Sequence, residues 1–175
     1  MTWQYTAGYA DGEGCLGFAI NHMKGKCKRP GSNVDGFTIS PGWRFGTYDF
    51  EVLDSIRNFL LSNRIKVAKI YNYPFKRKNR FGKVSVLQVL GWENLSNLLT
   101  NIMPYSISKK EQYALFKGLY QFWLNRTKDS YNTLWTKETF IEAMNMVDKI
   151  NSLKGGKRGK YNAEYFKRFW NIEQK

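Results

Sequence analysis

Two carboxylates, Asp11 and Glu13, close a run of small residues, Thr6-Ala7-Gly8-Tyr9-Ala10-Asp11-Gly12-Glu13-Gly14. The run reads as the last turns of a helix, ended by glycines that can take the left-handed turn at a helix C-terminus, with a strand following at once. Acid is poorly placed there, because the helix macrodipole is negative at that end and the two carboxylates repel one another. A divalent metal would remove the conflict, and carboxylates and main-chain carbonyls are the hard oxygen ligands that Mg²⁺ prefers. Gly8 and Gly12 are four apart and share a helical face, where the missing side chains let a second backbone come close. Other metal chemistry is poorly served. There is one histidine, His22, with no catalytic neighbour in sequence, and Cys15 and Cys27 do not have zinc spacing.

The elements that must position these groups are legible from periodicity. From Cys15 to Met23, Leu16, Phe18 and Ile20 alternate with Gly17, Ala19 and Asn21, giving a strand with one buried face. Lys24 to Gly36 is a basic loop. Phe37 to Phe45 alternates again, with Phe37, Ile39, Trp43 and Phe45 opposite Thr38, Ser40, Gly42 and Arg44, and Pro41 suggests a bulge or an edge. Asp49 is placed to cap a helix in which Phe50, Leu53, Ile56, Leu60 and Leu61 recur at helical spacing. A third strand is expected over about Lys66 to Tyr73 and a fourth over Val84 to Leu90. Pro74 to Lys83 is expected to be the hairpin loop between them, carrying Lys76, Arg77, Lys78, Arg80 and Lys83. Helical spacing then covers Trp92–Ile102, Ser108–Leu124 with Ser108 and Glu111 as a capping box, Thr136–Leu153, and a basic stretch around Ala163–Trp170. The order α-β-β-α-β-β-α with extra C-terminal helices implies an α+β fold, a four-stranded antiparallel sheet with helices packed on one face. Residues 1–153 form the expected domain, and the Gly155-Gly156 break sets off a basic extension over 154–175.

A net charge of +14 with 17% aromatic and 42% apolar residues describes a folded, strongly basic protein. Nucleic acid is the default partner. An anionic membrane surface would want the charge on an amphipathic helix, where most of it does not fall, and no apolar run approaches the ~18 residues of a span. With no secretory leader, the cysteines read as reduced thiols, in an organelle matrix (mitochondrion or chloroplast) or in the cytoplasm or nucleoid of a prokaryote.

Ala7-Gly8-Tyr9-Ala10-Asp11-Gly12-Glu13-Gly14 resembles the LAGLIDADG motif of homing endonucleases and intron maturases, with Thr6 in place of the opening Leu and Glu13 in place of the last Asp. No second Ala-Gly-x-x-Asp-Gly-acid occurs in residues 15–175. The resemblance implies the single-motif type, a homodimer whose motif helices meet through Ala7, Gly8, Asp11 and Gly12. It implies an intron-encoded enzyme that cuts double-stranded DNA at a long, pseudo-palindromic target. Glu13 and the main chain of Gly12 would bind Mg²⁺, for which Mn²⁺ would substitute. A catalytic lysine is also implied after the fourth strand, where Lys109 is the matching position in Pro104-Tyr105-Ser106-Ile107-Ser108-Lys109-Lys110-Glu111-Gln112 and Lys110 the fallback. A polar group late in the second strand matches poorly: Arg44, Gly46 and Thr47 lie near its place.

On this reading the sheet is a saddle whose polar face meets DNA, since a two-stranded ribbon fits the major groove. Asn21, Thr38, Ser40, Arg44, Lys69, Tyr71, Tyr73 and Gln88 stand on that face, with Lys24, Lys26, Lys28, Lys76, Arg77, Lys78 and Arg80 supplying charge from the loops. Arg44 and Lys69 suit guanine, and Asn21 and Gln88 suit adenine. The alternative is an intron maturase that binds intron RNA, or a DNA-binding protein of the same fold that does not cleave. An intact Glu13 with Lys109 favours the nuclease.

Overall fold

The computed structural model describes residues 1–22, 34–77, 80–128, 132–133, 135–154 and 159–172. The elements run α1 (Trp3–Glu13), β1 (Gly14–His22), β2 (Phe37–Thr47), α2 (Phe50–Ser62), β3 (Tyr71–Arg77), β4 (Arg80–Leu90), α3 (Trp92–Ile102), α4 (Lys110–Leu124), β5 (Thr127–Lys128), β6 (Asn132–Thr133), α5 (Lys137–Ser152) and α6 (Ala163–Phe169), with a single 3₁₀ turn at Met103–Tyr105. One sheet has the strand order β1-β2-β4-β3, and β4 pairs antiparallel with both β2 and β3; β5 and β6 form a separate pair. This is the α+β architecture implied by the periodicity. No helix among the described residues is long and apolar enough to cross a membrane. The chain divides into two compact units, one of Met1–Gly17 with Ser40–Lys110, the other of Phe18–Ile39 with Glu111–Lys175.

In the first unit the register Trp43↔Val89 and Phe45↔Leu87 puts four apolar side chains on one face of β2 and β4, all buried. Leu53, Ile56 and Leu60 of α2 and Leu95, Leu98, Leu99 and Ile102 of α3 complete that core. α2 begins as expected, with the Asp49 carboxylate accepting from the N–H groups of Glu51 and Val52. α1 is started by Thr2, whose hydroxyl oxygen accepts from the Tyr5 N–H, and it buries Thr6, Ala7 and Ala10.

Four expectations need correction here. α1 does not end in a left-handed turn: Gly14 is extended, with φ −84°, and its N–H returns to the Ala10 carbonyl. Pro41 does not mark an edge strand, for β2 lies between β1 and β4. The proline stands one residue before the β2–β4 ladder begins at Gly42↔Leu90, so no β4 rung needs its missing N–H. The third strand starts at Tyr71 and not near Lys66, because the Lys66 N–H is taken by the Asn94 side chain and only Ala68, bonded to the Gln88 carbonyl at 2.8 Å, reaches β4. The expected loop from Pro74 to Lys83 is mostly strand, paired from Pro74↔Lys83 out to Arg77↔Arg80. β3 is an edge strand, which accepts a proline and cations that read as loop in sequence.

The second unit is held by an aromatic core. Phe37, Phe140 and Phe166 are buried and meet edge to face, Phe166 lying 4.9 Å from Phe37 and 5.0 Å from Phe140. His22, at the end of β1, stacks on Phe37 at 4.1 Å. Asp35 and Gly36 both have positive φ, the two-residue turn that bridges Val34 to Phe37. The Asp35 carboxylate accepts from the Trp170 indole at 2.7 Å, and the Ala163 N–H donates to Asp148, which docks α6 on α5. Thr136 caps α5 through a reciprocal bond with Thr139. Gly155, Gly156, Lys157 and Arg158 lie outside the described residues.

Space, not backbone freedom, is what requires glycine at position 14. A β-carbon there would fall against the Trp43 indole and the Ala10 carbonyl oxygen. Gly14→Ala is therefore expected to destabilise the chain by about 1–3 kcal/mol, the range for overpacking a filled site, as a lowered urea midpoint at unchanged slope.

Candidate active site

The site forms where α1 meets the segment that follows α3. Asp11 grips that segment: its carboxylate accepts from the Ser106 hydroxyl at 2.6 Å, the Ile107 N–H at 2.6 Å and the Ser108 N–H at 3.2 Å. Ser106 is 6% exposed. One residue further on, the Lys109 ammonium returns to α1 and donates to the carbonyls of Ala10 at 2.6 Å, Asp11 at 2.6 Å and Gly14 at 2.7 Å. It also lies 5.8 Å from the centre of the Trp43 ring.

This arrangement changes two sequence expectations. Ser108 does not open a capping box, because α4 begins at Lys110 and the Ser108 N–H belongs to Asp11. Lys109 is thus no first-turn lysine set against a positive helix end. Its charge sits at the C-terminus of α1, where the macrodipole favours a cation. The protein's own groups therefore relieve much of the acid conflict for which a metal was expected. Burial alone would raise the Asp11 carboxyl, but the bonds from Ser106, Ile107 and Ser108 and the charge of Lys109 outweigh it and hold its pKa below the ordinary value. Burial lowers the Lys109 ammonium from its usual range, opposed by the charges of Asp11, Cys15 and Glu13.

Glu13 is left differently. It is exposed at the last position of α1 and makes no hydrogen bond or ion pair among the described residues, although it lies within electrostatic reach of Lys109. Lys109's three acceptors do not include the Gly12 carbonyl. Among the described residues no group of three or more His, Cys, Asp or Glu side chains converges. The Glu13 carboxylate and Gly12 carbonyl are nonetheless hard oxygen donors, suited to an ion such as Mg²⁺ that retains waters and takes its other ligands from substrate phosphate. Of the residues read as an interface, Ala7 turns into the protomer's own core and Asp11 is half-buried, while Gly8 and Gly12 are exposed and a β-carbon on either would meet nothing within 4 Å.

On the sheet, Arg44↔Gln88 pair on the face opposite the apolar core. Lys69 precedes the paired part of β3 and follows Ala68, whose N–H donates to the Gln88 carbonyl. Arg44, Lys69, Ser40 and Tyr71 are exposed and Gln88 is half-buried. Asn21 and Thr38, in the second unit, are exposed and half-buried. Tyr73, Lys76, Arg77 and Arg80 have backbone in β3 and β4, but their side chains lie outside what is described, and Lys24, Lys26, Lys28 and Lys78 lie outside the described residues altogether.

No protein-family model and no curated protein matches the chain. Solved structures do. A crystal structure of the homing endonuclease I-CvuI, in complex with uncleaved DNA in the presence of Mg, superposes with a TM-score of 0.68 at 20% identity, covering 97% of this chain and 92% of that one. The archaeal intron-encoded homing endonuclease I-Vdi141I, complexed with DNA, gives 0.66 at 15% identity, covering 98% and 97%. The LAGLIDADG homing endonuclease I-GzeII with its DNA target gives 0.61 at 15% identity, with 98% of this chain covering 50% of that one. The chain has the LAGLIDADG homing endonuclease fold.

Within that LAGLIDADG fold, the grip of Asp11 on Ser106 is the part that sequence reasoning missed. The contact spans 95 residues, and no local pattern signals it. Because the native carboxyl titrates below its unfolded value, Asp11 contributes stability that is complete above about pH 5 and is lost as pH falls through the depressed native pKa. The stability difference between the wild-type chain and Asp11→Asn should accordingly be flat at neutral pH and shrink on acidification. Urea titrations at a series of pH values check this, and parallel curves down to pH ~2 would contradict it.

Proposed function

We propose that the chain is a site-specific, divalent-metal-dependent DNA endonuclease, intron-encoded, that works as a homodimer on double-stranded DNA. The observation that carries the reading is the free Glu13 carboxylate at the end of α1, within electrostatic reach of the Lys109 ammonium, on a chain of net charge +14. The structural neighbours are described as homing endonucleases, several in complex with DNA, which supports the same partner here.

Glu13 and the Gly12 carbonyl would hold Mg²⁺, with Mn²⁺ as a substitute, and the bound ion supplies Lewis-acid polarisation of the scissile phosphate and a more acidic water. Glu13 fixes where that charge stands. Lys109 adds positive charge on the same side, where negative charge grows on the phosphoryl oxygens in the transition state. One protomer offers one such acid, so cutting both strands calls for a second copy, and the exposed Gly8/Gly12 stripe is suited to close helix contact with it. The paired Arg44 and Gln88, with the exposed Lys69, would face the major groove, Arg44 and Lys69 toward guanine and Gln88 toward adenine.

Glu13→Gln tests the reading. It keeps the shape of the turn and removes a ligand charge, so cleavage of a target-containing DNA library in Mg²⁺ should be abolished while specific binding persists. Cleavage at the wild-type rate would remove Glu13 from the mechanism.

Assembly has its own test. Within one protomer Gly8→Ala meets no obstacle and should stabilise the helix by about 0.5–1 kcal/mol. In a close helix pair the same methyl, and more so Gly8→Leu, should weaken the dimer in sedimentation equilibrium. A wild-type monomer that still cuts both strands would end the homodimer assignment.

A further inference from the structure

The lysine beside Glu13 has no proton to spare. An ammonium carries three N–H donors, and those of Lys109 are taken by the carbonyls of Ala10, Asp11 and Gly14, all within 2.7 Å. These carbonyls belong to the last turn of α1 and the first residue of β1, on either side of Glu13. To touch a phosphate with this ammonium, the chain would have to break one of three charge-assisted bonds. The lysine is itself anchored from the same helix: the Asp11 carboxylate holds Ser106, Ile107 and Ser108, the three residues that precede it. Two bridges thus run between α1 and this segment in opposite directions, an acid on α1 binding the segment and a base on the segment binding α1.

We propose that Asp11, Ser106 and Lys109 form a positioning clasp that fixes the end of α1, so that Lys109 acts on the proposed reaction by holding the Glu13 turn and by its charge through space, without contacting substrate. The assignment rests on the endonuclease reading for its catalytic part only. The clasp itself is a property of the folded chain and can be measured without DNA.

In the DNA-free protein the clasp predicts that Lys109 resists an amine-directed acylating reagent, with the exposed neighbour Lys110 as internal standard on the same peptide. Ser106→Ala removes one donor to Asp11, and Asp11→Asn removes the carboxylate charge. Each should raise Lys109 acylation by about tenfold, the factor expected for losing roughly one such hydrogen bond, and leave Lys110 unchanged. Ser106→Thr, which keeps the hydroxyl, should restore protection. Should Asp11→Asn fail to fold, the Ser106 pair carries the test. With DNA and Mg²⁺, Ser106→Ala should slow single-turnover cleavage at saturating protein while the Kd for DNA stays constant, and Ser106→Thr should recover the rate.

Lys109 reacting as fast as Lys110 in the wild-type chain would overturn the clasp, as would protection indifferent to Ser106→Ala. Released Lys109 with an undiminished cleavage rate would overturn its positioning role. Loss of cleavage matched by an equal rise in Kd would overturn it too, since the clasp would then serve DNA binding. A wild-type chain that cuts no DNA while Lys109 behaves as described would refute the endonuclease reading and leave the clasp standing, so the two failures are told apart.

Discussion

Three main-chain carbonyls converging on one ammonium are the constraint on which this site is built. A helix C-terminus leaves carbonyl oxygens without intrahelical partners, and α1 carries acid at that same end. Left alone, such an end would fray or need outside charge. Lys109 closes it from a segment nearly a hundred residues away in sequence, and Asp11 pays the segment back by binding the residues before Lys109. Each bridge reduces the entropy cost of the other, because once either has formed the two segments are already side by side. Direction of charge makes the pair self-consistent. The acid is met by hydroxyl and N–H donors and the base by carbonyls, and each is partly withdrawn from water.

The two acids of the motif then divide. Asp11 spends its hydrogen-bonding capacity inside the protein, and Glu13 spends none that the described residues reveal. Two residues along a helix are about 200° apart, so neighbouring acids on one turn necessarily face different surroundings. The glycines divide in the same way. Gly14 is enclosed, with Trp43 and Ala10 where a β-carbon would go, while Gly8 and Gly12 stand open. One set lets the chain close upon itself, and the other leaves a helical stripe where backbone can be approached from outside. A single short sequence therefore carries both enclosed and exposed glycines and acids.

What was legible beforehand follows from the range of the interactions. α2 announces itself through Asp49 and the spacing of Leu53, Ile56 and Leu60, and α3 through Leu95, Leu98, Leu99 and Ile102, because an amphipathic stripe is written locally. The inward faces of β1 and β2 are legible for the same reason. β3 was misplaced because its outer half carries Pro74, Lys76 and Arg77, which propensity assigns to a loop, whereas an edge strand needs pairing on one side only. Lys109 could be singled out by resemblance, but its manner of contact could not. Nothing in Ser106-Ile107-Ser108-Lys109 says that a hydroxyl and two amides will meet Asp11, and the same letters read more simply as a capped helix start.

Helix α4 shows what that misreading hides. A capping box would have let it begin as a self-contained element, with Ser108 supplying its own first hydrogen bond. Instead the residues before it are committed to α1, and Ser108 gives its N–H to Asp11. Rigid placement of a side chain to within a fraction of an ångström needs support of this kind, in which neighbouring groups are locked by their own partners. The sequence signature of the motif is short because most of what makes it work lies elsewhere in the chain: the indole of Trp43 that sits under Gly14, the hydroxyl of Ser106, and an ammonium whose three protons all point at main chain.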